Sequence, residues 1–289
     1  MKNICAVLAL LGMIACSKDS ANPTNFDEQL KKDIALIDDY LKNNSINAIK
    51  DSSGIRYVVN FEGKGEKPLE TSTVYFNVRG TVMSTGDLIV DHKERFYGIA
   101  LNDFNSVLTC FRIALPKVKK GSIVTIYSPS GYAYGATSTS DGALPPNSNI
   151  IFNVRMLDEI AQFTTDTTIV QNYVNSKGIS AIKDPSGLRY KITVLGTGKK
   201  PLASSSIAFN YVGKFMDNEK IFDQSIATNT ALLSQLIKGF QVGMQQLPAG
   251  SKAIFYIPSG LGYGPTGDKT YTIPSNSNLI FEVELVSVN

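Results

Sequence analysis

The chain is one unit written twice. Ile46–Tyr57 reads INAIKDSSGIRY, and Ile179–Tyr190, 133 residues further on, reads ISAIKDPSGLRY. VYFNVRG (Val74–Gly80) is answered by IAFNYVG (Ile207–Gly213) at the same offset. SPSGYAYG (Ser128–Gly135) is answered by IPSGLGYG (Ile257–Gly264), and ALPPNSNIIFNVRML (Ala143–Leu157) by TIPSNSNLIFEVELV (Thr272–Val286), now at an offset of 129. Four matched blocks in one order make a tandem duplication, with a boundary near residues 158–165 and a first copy that is longer in its middle. A length of 289 residues agrees with two domains of ordinary size.

Each copy opens with a predicted helix. In the first, Asn25 stands as a cap with Glu28 at the capping-box position, and Leu30, Ile34, Ile37 and Leu41 share one face. The second, around Thr167–Asn175, is shorter and weaker; both read as packing struts or domain spacers. Thr73–Val82 and Ser205–Met216 alternate and are rich in β-branched and aromatic residues, as strands are. Ile123–Tyr127, Asn149–Leu157, Ala253–Ile257 and Asn278–Val288 are further strands. One short helical stretch lies among them in each copy, Cys110–Leu115 and Phe240–Gln246. Many strands around a single core helix predict an α+β fold with an antiparallel sheet.

Ahead of the duplication, Lys2 precedes an apolar run, Ile4–Ile14, broken only by Gly12. The run is shorter than the roughly 20 residues that span a bilayer and reads as a secretory leader over residues 1–15. Ala15-Cys16 resembles the end of a bacterial lipoprotein signal, in which Cys16 becomes the first mature residue and carries the lipid. The alternative is an ordinary cleavage that leaves a cysteine nearby. Residues 16–25 then read as a tether, 26–160 as the first domain and 161–289 as the second. The lipid reading places the protein in the bacterial cell envelope, anchored on the periplasmic face or the cell surface by acyl chains.

Composition limits the chemistry. Three cysteines and the single histidine, His92, are too few for a zinc cage, haem or iron–sulfur ligation, or a nucleophile–histidine pair in both copies. Only Cys110 would remain in the mature fold, inside an apolar run, as a small core residue. A net charge of +3 on 28 basic and 25 acidic residues provides no footprint for nucleic acid. Gly262, Gly264 and Gly267 formally spell a dinucleotide fingerprint, but Pro265 and a strand-like TYTIP follow where a helix is required. No metal and no cofactor is expected.

The second copy resembles the FKBP-type peptidyl-prolyl cis-trans isomerases. The resemblance rests on FNYVGKFMDNEKIFDQS (Phe209–Ser225), LIKGFQVGMQQLPAGSKAIFYIPSGLGYG (Leu236–Gly264) and IPSNSNLIFEVELV (Ile273–Val286). The first copy is similar over residues 72–157. The family implies an antiparallel half-barrel sheet curled over a short helix in each copy, an apolar pocket between them, and proline-containing polypeptides as partners. By resemblance, Tyr211, Phe222 and Asp223 match the family's Tyr…Phe-Asp pattern. Leu236 and Ile237 match the aliphatic pair before the helix, where the Ile237 amide holds a peptide carbonyl. Phe240 stands where the family usually has Trp as the pocket floor. Tyr263 matches the tyrosine whose hydroxyl bonds the substrate, and Ile273 and Phe281 complete the wall. Tyr211, Phe222, Asp223, Ile237 and Tyr263 are the expected catalytic set.

Departures from the pattern are also legible. The stretch between Asp223 and Leu236 is short, and Ala231 or Leu232 falls where a further aromatic is common. In the first copy Val78 replaces the tyrosine and Val90 the phenylalanine, while Asp91, Val107, Leu108, Phe111, Tyr134, Leu144 and Phe152 stay compatible. That pocket is expected to be weak or inactive. Residues 92–106, with His92, Lys93, Glu94 and Arg95, read as a solvated loop. The expected function is a lipid-anchored prolyl isomerase acting mainly through its second domain. The rivals are a tethered peptide-binding module without turnover and a structural spacer of an envelope complex.

Overall fold

The computed structural model describes residues 23–140 and 142–289. The leader, Cys16 and most of the tether lie outside them. The chain separates into two compact units at Asp158/Glu159. Among the described residues no helix is long and apolar enough to cross a membrane.

The first unit runs α1 (Pro23–Asn43), β1 (Ile49–Lys50), β2 (Arg56–Phe61), β3 (Thr73–Val82), β4 (Leu88–Ala100), α2 (Thr109–Ala114), β5 (Ile123–Ser128) and β6 (Ile150–Met156). Its strands form one antiparallel sheet in the order β1-β2-β5-β6-β3-β4. Successive side chains of a strand point to opposite faces, so each strand feeds two layers. Ile126, Phe152 and Val154 face α2 and pack with its Cys110, Phe111 and Ala114. Tyr127, Ile151 and Val58 face the other way and pack with Ile37 and Leu41 of α1. Cys110 is wholly buried, and burial pushes its thiol up to about 12, so it serves as a small apolar residue.

The second unit repeats this plan. It runs α3 (Glu159–Ser176), β7 (Ile182–Lys183), β8 (Arg189–Val194), β9 (Ser206–Phe215), β10 (Ile221–Gln224), β11 (Asn229–Leu232), α4 (Lys238–Met244), β12 (Lys252–Ile257) and β13 (Leu279–Val288). The sheet order is β7-β8-β12-β13-β9-β10, and β11 also pairs with β9. Phe240 and Met244 of α4 pack on Phe255, Ile257, Phe281 and Val283 of the inner face. Val170 and Val174 of α3 pack on Tyr256, Ile280 and Met216 of the outer face. Both units are therefore α+β: an antiparallel sheet curled over a short helix, with a longer helix on its back.

Three expectations need correction. The second opening helix is 18 residues, not a short remnant. Its apolar periodicity is diluted by threonines; Thr164, Thr165 and Thr168 bond back to carbonyls four residues earlier, and packing by Val170 and Val174 holds the helix. The first helix begins at Pro23, so Asn25 lies inside it and is no cap. The charged run His92–Arg95 is not a loop. It belongs to β4, a 13-residue edge strand, where charged side chains are well tolerated and blunt the open edge.

Candidate active site

Six aromatic rings of the second unit form a box between α4 and the curled sheet. Phe240, one turn into α4, is the floor. Its ring stands edge-on to Phe281 at 4.8 Å, to Phe255 at 6.0 Å, to Phe209 at 5.8 Å and to Tyr211 at 6.2 Å between centroids. Phe222 closes the side, 5.6 Å from Phe281 and nearly perpendicular to it. Edge-to-face pairs of this kind suit the ring quadrupoles and add about 0.5–1.5 kcal/mol each beyond burial. Gly213 makes the closure possible. A Cβ there would come within 2.8 Å of both the Phe222 and Phe281 rings.

Polar groups stand at the rim. The strand β10 bulges so that Phe222 and Asp223 both lie against Gly213. Asp223 stays exposed at the rim, where its Oδ2 accepts a 2.5 Å hydrogen bond from the Tyr211 hydroxyl. Burial first, and this bond second, push the Tyr211 phenol well above the usual tyrosine range. Burial and the nearby Asp223 and Asp268 carboxylates raise Tyr263 as well. Ile237 caps α4, and Leu236 and Ile237 pack half-buried against the box. Among the described residues neither the Ile237 N–H nor the Tyr263 hydroxyl has an acceptor. Two free donors thus flank an apolar cluster of rings. Ile273 is buried in the same cluster. All nine residues singled out in the second copy come together here. Phe209, Phe255 and Gly213 pack in the same cluster and were missed; the available signal was the duplicated block 207–213 for Phe209 and Gly213 and the family block 236–264 for Phe255.

Two clefts of this unit lie elsewhere. One of about 760 Å³ runs between Tyr173 of α3 and the segment 274–278, and another of about 670 Å³ lies on the outer sheet face by Thr193 and Lys252. Neither holds the two free donors.

The first unit has the same floor and back wall. Phe111 lies 4.9 Å from Phe152 and 5.1 Å from Phe76, and Tyr134 lies 6.5 Å from Phe152. Leu108 caps α2 as Ile237 caps α4. Val78 and Val90 are buried, and a Val90 methyl fills the space above Gly80 that Phe222 fills above Gly213. Asp91 makes no bond of the Asp223 kind, since Val78 offers no phenol. The ladder pairs Gly80 with Val90 and Arg79 with Asp91, whereas Gly213 pairs with Asp223. Asp91 lies against Arg79, 4.0 Å away. Its Oδ1 is buried with no hydrogen-bond partner among the described residues.

Comparison with known proteins agrees with this architecture. The family model of the FKBP-type peptidyl-prolyl cis-trans isomerase matches residues 64–157 and 198–286, together more than half of the chain. The FKBP-type peptidyl-prolyl cis-trans isomerase FkpA of Aeromonas hydrophila is 34% identical over 143 residues, covering 46% of this chain and 52% of the relative. The outer membrane protein MIP of Legionella longbeachae is 38% identical over 107 residues, covering 36% of this chain and 45% of the relative. The peptidyl-prolyl cis-trans isomerase Mip of Chlamydia pneumoniae is 36% identical over 119 residues, covering 40% and 44%. The chain thus spans about half the length of these relatives. With two matched segments, an aromatic box in the second and its pared-down twin in the first, the chain belongs to the FKBP-type peptidyl-prolyl cis-trans isomerase family.

Proposed function

We propose that this protein is a prolyl isomerase that acts on proline-containing polypeptides through its second unit. The observation that carries the reading is the aromatic box flanked by the Ile237 N–H and the Tyr263 hydroxyl, with Tyr211 locked to Asp223. Rotation about an Xaa–Pro bond crosses a barrier of about 18–20 kcal/mol and takes tens to hundreds of seconds unaided. It makes and breaks no covalent bond. The planar amide is charge-separated by resonance, so water favours it over the twisted form. A box walled by Phe222, Phe240 and Phe281 withdraws that solvation and suits the twisted amide better. The Ile237 N–H then holds a flanking carbonyl and the Tyr263 hydroxyl another, donors fixed before the substrate arrives. The Tyr211–Asp223 bond holds the Tyr211 ring at the rim, and its phenol stays protonated at physiological pH.

The test is exchange NMR of a short Xaa-Pro peptide with the intact chain. Accelerated cis–trans exchange, reduced about tenfold in Tyr211→Phe and Tyr263→Phe, is the expected result. No acceleration by the parent chain would refute the reading. The protein would then be a peptide-binding module, a reading that the valine-filled first pocket favours for that unit. The envelope setting belongs to the same proposal. It is supported by the lipoprotein-like Ala15-Cys16 and by the outer membrane name of the Legionella relative. Mass analysis of the mature N-terminus checks it: a diacyl or triacyl Cys16 is expected, lost in Cys16→Ser.

A further inference from the structure

The opening helix of the second unit lies outside the family-matched segment 198–286, yet one of its side chains reaches the site. Asp166 is 1% exposed. Its Oδ2 accepts the Ser259 hydroxyl at 2.5 Å, and its Oδ1 accepts Gln162 Nε2 at 2.9 Å and Asn278 Nδ2 at 3.4 Å. Asn278 Oδ1 in turn accepts the Ser259 N–H at 2.9 Å. Ser259 and Asn278 are the two ends of the connection between β12 and β13, the segment that carries Tyr263 and Ile273. Asp166 therefore ties together the base of that segment. Phe163, one turn earlier on α3, packs against Gly260, where a Cβ would already stand 3.0 Å from the ring.

The same device occurs in the first unit. Asp33 is fully buried and accepts the Ser130 N–H at 2.8 Å, the Ser130 hydroxyl at 2.6 Å and Gln29 Nε2 at 2.8 Å. Asn149 accepts the Ser130 N–H at 3.2 Å and donates to the Asp33 carbonyl at 3.3 Å. Phe26 sits on Gly131 as Phe163 sits on Gly260. A carboxylate is costly to bury unless hydrogen bonds meet it, so each of these aspartates fixes its partners closely.

Beyond the clamp the segment is tied to itself. The Leu261 and Gly262 N–H groups donate to Pro258 and Ser259 carbonyls, and the Asn276 N–H donates to the Gly264 carbonyl at 2.9 Å. Gly267 has φ +64°, and a Cβ there would meet the Ile273 carbonyl. A segment that is internally braced moves as a body about its ends. Fixing Ser259 and Asn278 fixes where the Tyr263 hydroxyl stands.

We propose that Asp166 is a positioning residue of the isomerase site, acting through Ser259 and Asn278 on Tyr263, so that the functional unit includes α3. The proposal rests on the prolyl isomerase reading for its kinetic arm but not for its structural arm. Both are measured on the intact chain with Asp166→Ala and, as the milder variant, Ser259→Ala. In the structural arm, amide hydrogen exchange within residues 258–278 is expected to rise about tenfold or more in Asp166→Ala, and less in Ser259→Ala, with β9, β13 and α4 unchanged. In the kinetic arm, Tyr263→Phe is expected to cost about tenfold in kcat/KM in the parent and under about twofold in the Asp166→Ala or Ser259→Ala background. A helix that only stabilises the unit would leave the Tyr263→Phe penalty unchanged, and that result overturns the proposal. Unchanged exchange in 258–278 overturns it too. If Asp166→Ala does not fold, Ser259→Ala decides by the same criteria. If the parent chain does not catalyse, the function fails, and the exchange arm alone decides whether α3 positions the segment.

Discussion

The two units share a scaffold and differ in what fills it. Above Gly213 stand two phenylalanine rings, Phe222 and Phe281; above Gly80 stand Phe152 and a valine methyl. Tyr211 gives its phenol to Asp223, whereas Val78 has no phenol and Asp91 lies against Arg79. The floor rings, Phe240 and Phe111, the clamps of Asp166 and Asp33, and the outer helices are present in both. What differs is confined to the side wall and rim. The fold can therefore be kept by burial alone, and the site is a small set of residues added to it.

The largest expected effect tests the shared part. Phe240→Ala and Phe111→Ala each remove a ring that is 4% exposed and should each cost about 3–5 kcal/mol in the stability of their own unit, read by denaturant unfolding. A loss in one unit and none in the other would break the equivalence of the floors. The next test sharpens the difference. Contact above the two glycines assigns Val90 to the place of Phe222. In a chain silenced by Phe222→Ala, Val78→Tyr with Val90→Phe should restore several-fold exchange of an Xaa-Pro peptide. Val78→Tyr with Val90→Asp should restore less. The reverse order would show that Val90 does not stand where Phe222 does.

The smallest effect is one of pH. Burial holds the His92 imidazole below its usual value, and the neighbouring Asp91 carboxylate offsets this in part. In the folded unit the ring stays neutral where the unfolded chain already binds a proton. Stability is unaffected above about pH 6.5 and is lost as pH falls from there through the lowered value. His92→Gln should remove that slope from the first unit. The second unit, which has no histidine, should lack it in the parent chain. A slope that survives His92→Gln would assign it to other groups.

Much of this was legible in the sequence, for physical reasons. Strand β3 was read to the residue because its alternation reports a two-sided sheet, Val74 and Phe76 inward and Thr73 outward. The pocket rings were legible through the family resemblance, whose blocks Phe209–Ser225, Leu236–Gly264 and Ile273–Val286 carry them in order. Helix α3 was underestimated because Thr164–Thr168 hides its apolar stripe and its anchor, Asp166, is polar. Strand β4 was misread because an edge strand tolerates charge that a central strand does not. The approach of Asp91 to Arg79 was not legible, because strand register leaves no mark in the letters. The Asp166 clamp went unnoticed although Asp33, Ser130 and Asn149 repeat it, since none of these residue types signals a site by itself.

The most direct test of a working second unit and an idle first one is a paired measurement of kcat/KM on an Xaa-Pro peptide, in the intact chain, for Phe222→Ala and Val90→Ala. These two side chains fill the same space above equivalent glycines. The account predicts a loss of about tenfold or more for Phe222→Ala and a change within about twofold for Val90→Ala. Equal losses, or a loss confined to Val90→Ala, would contradict it.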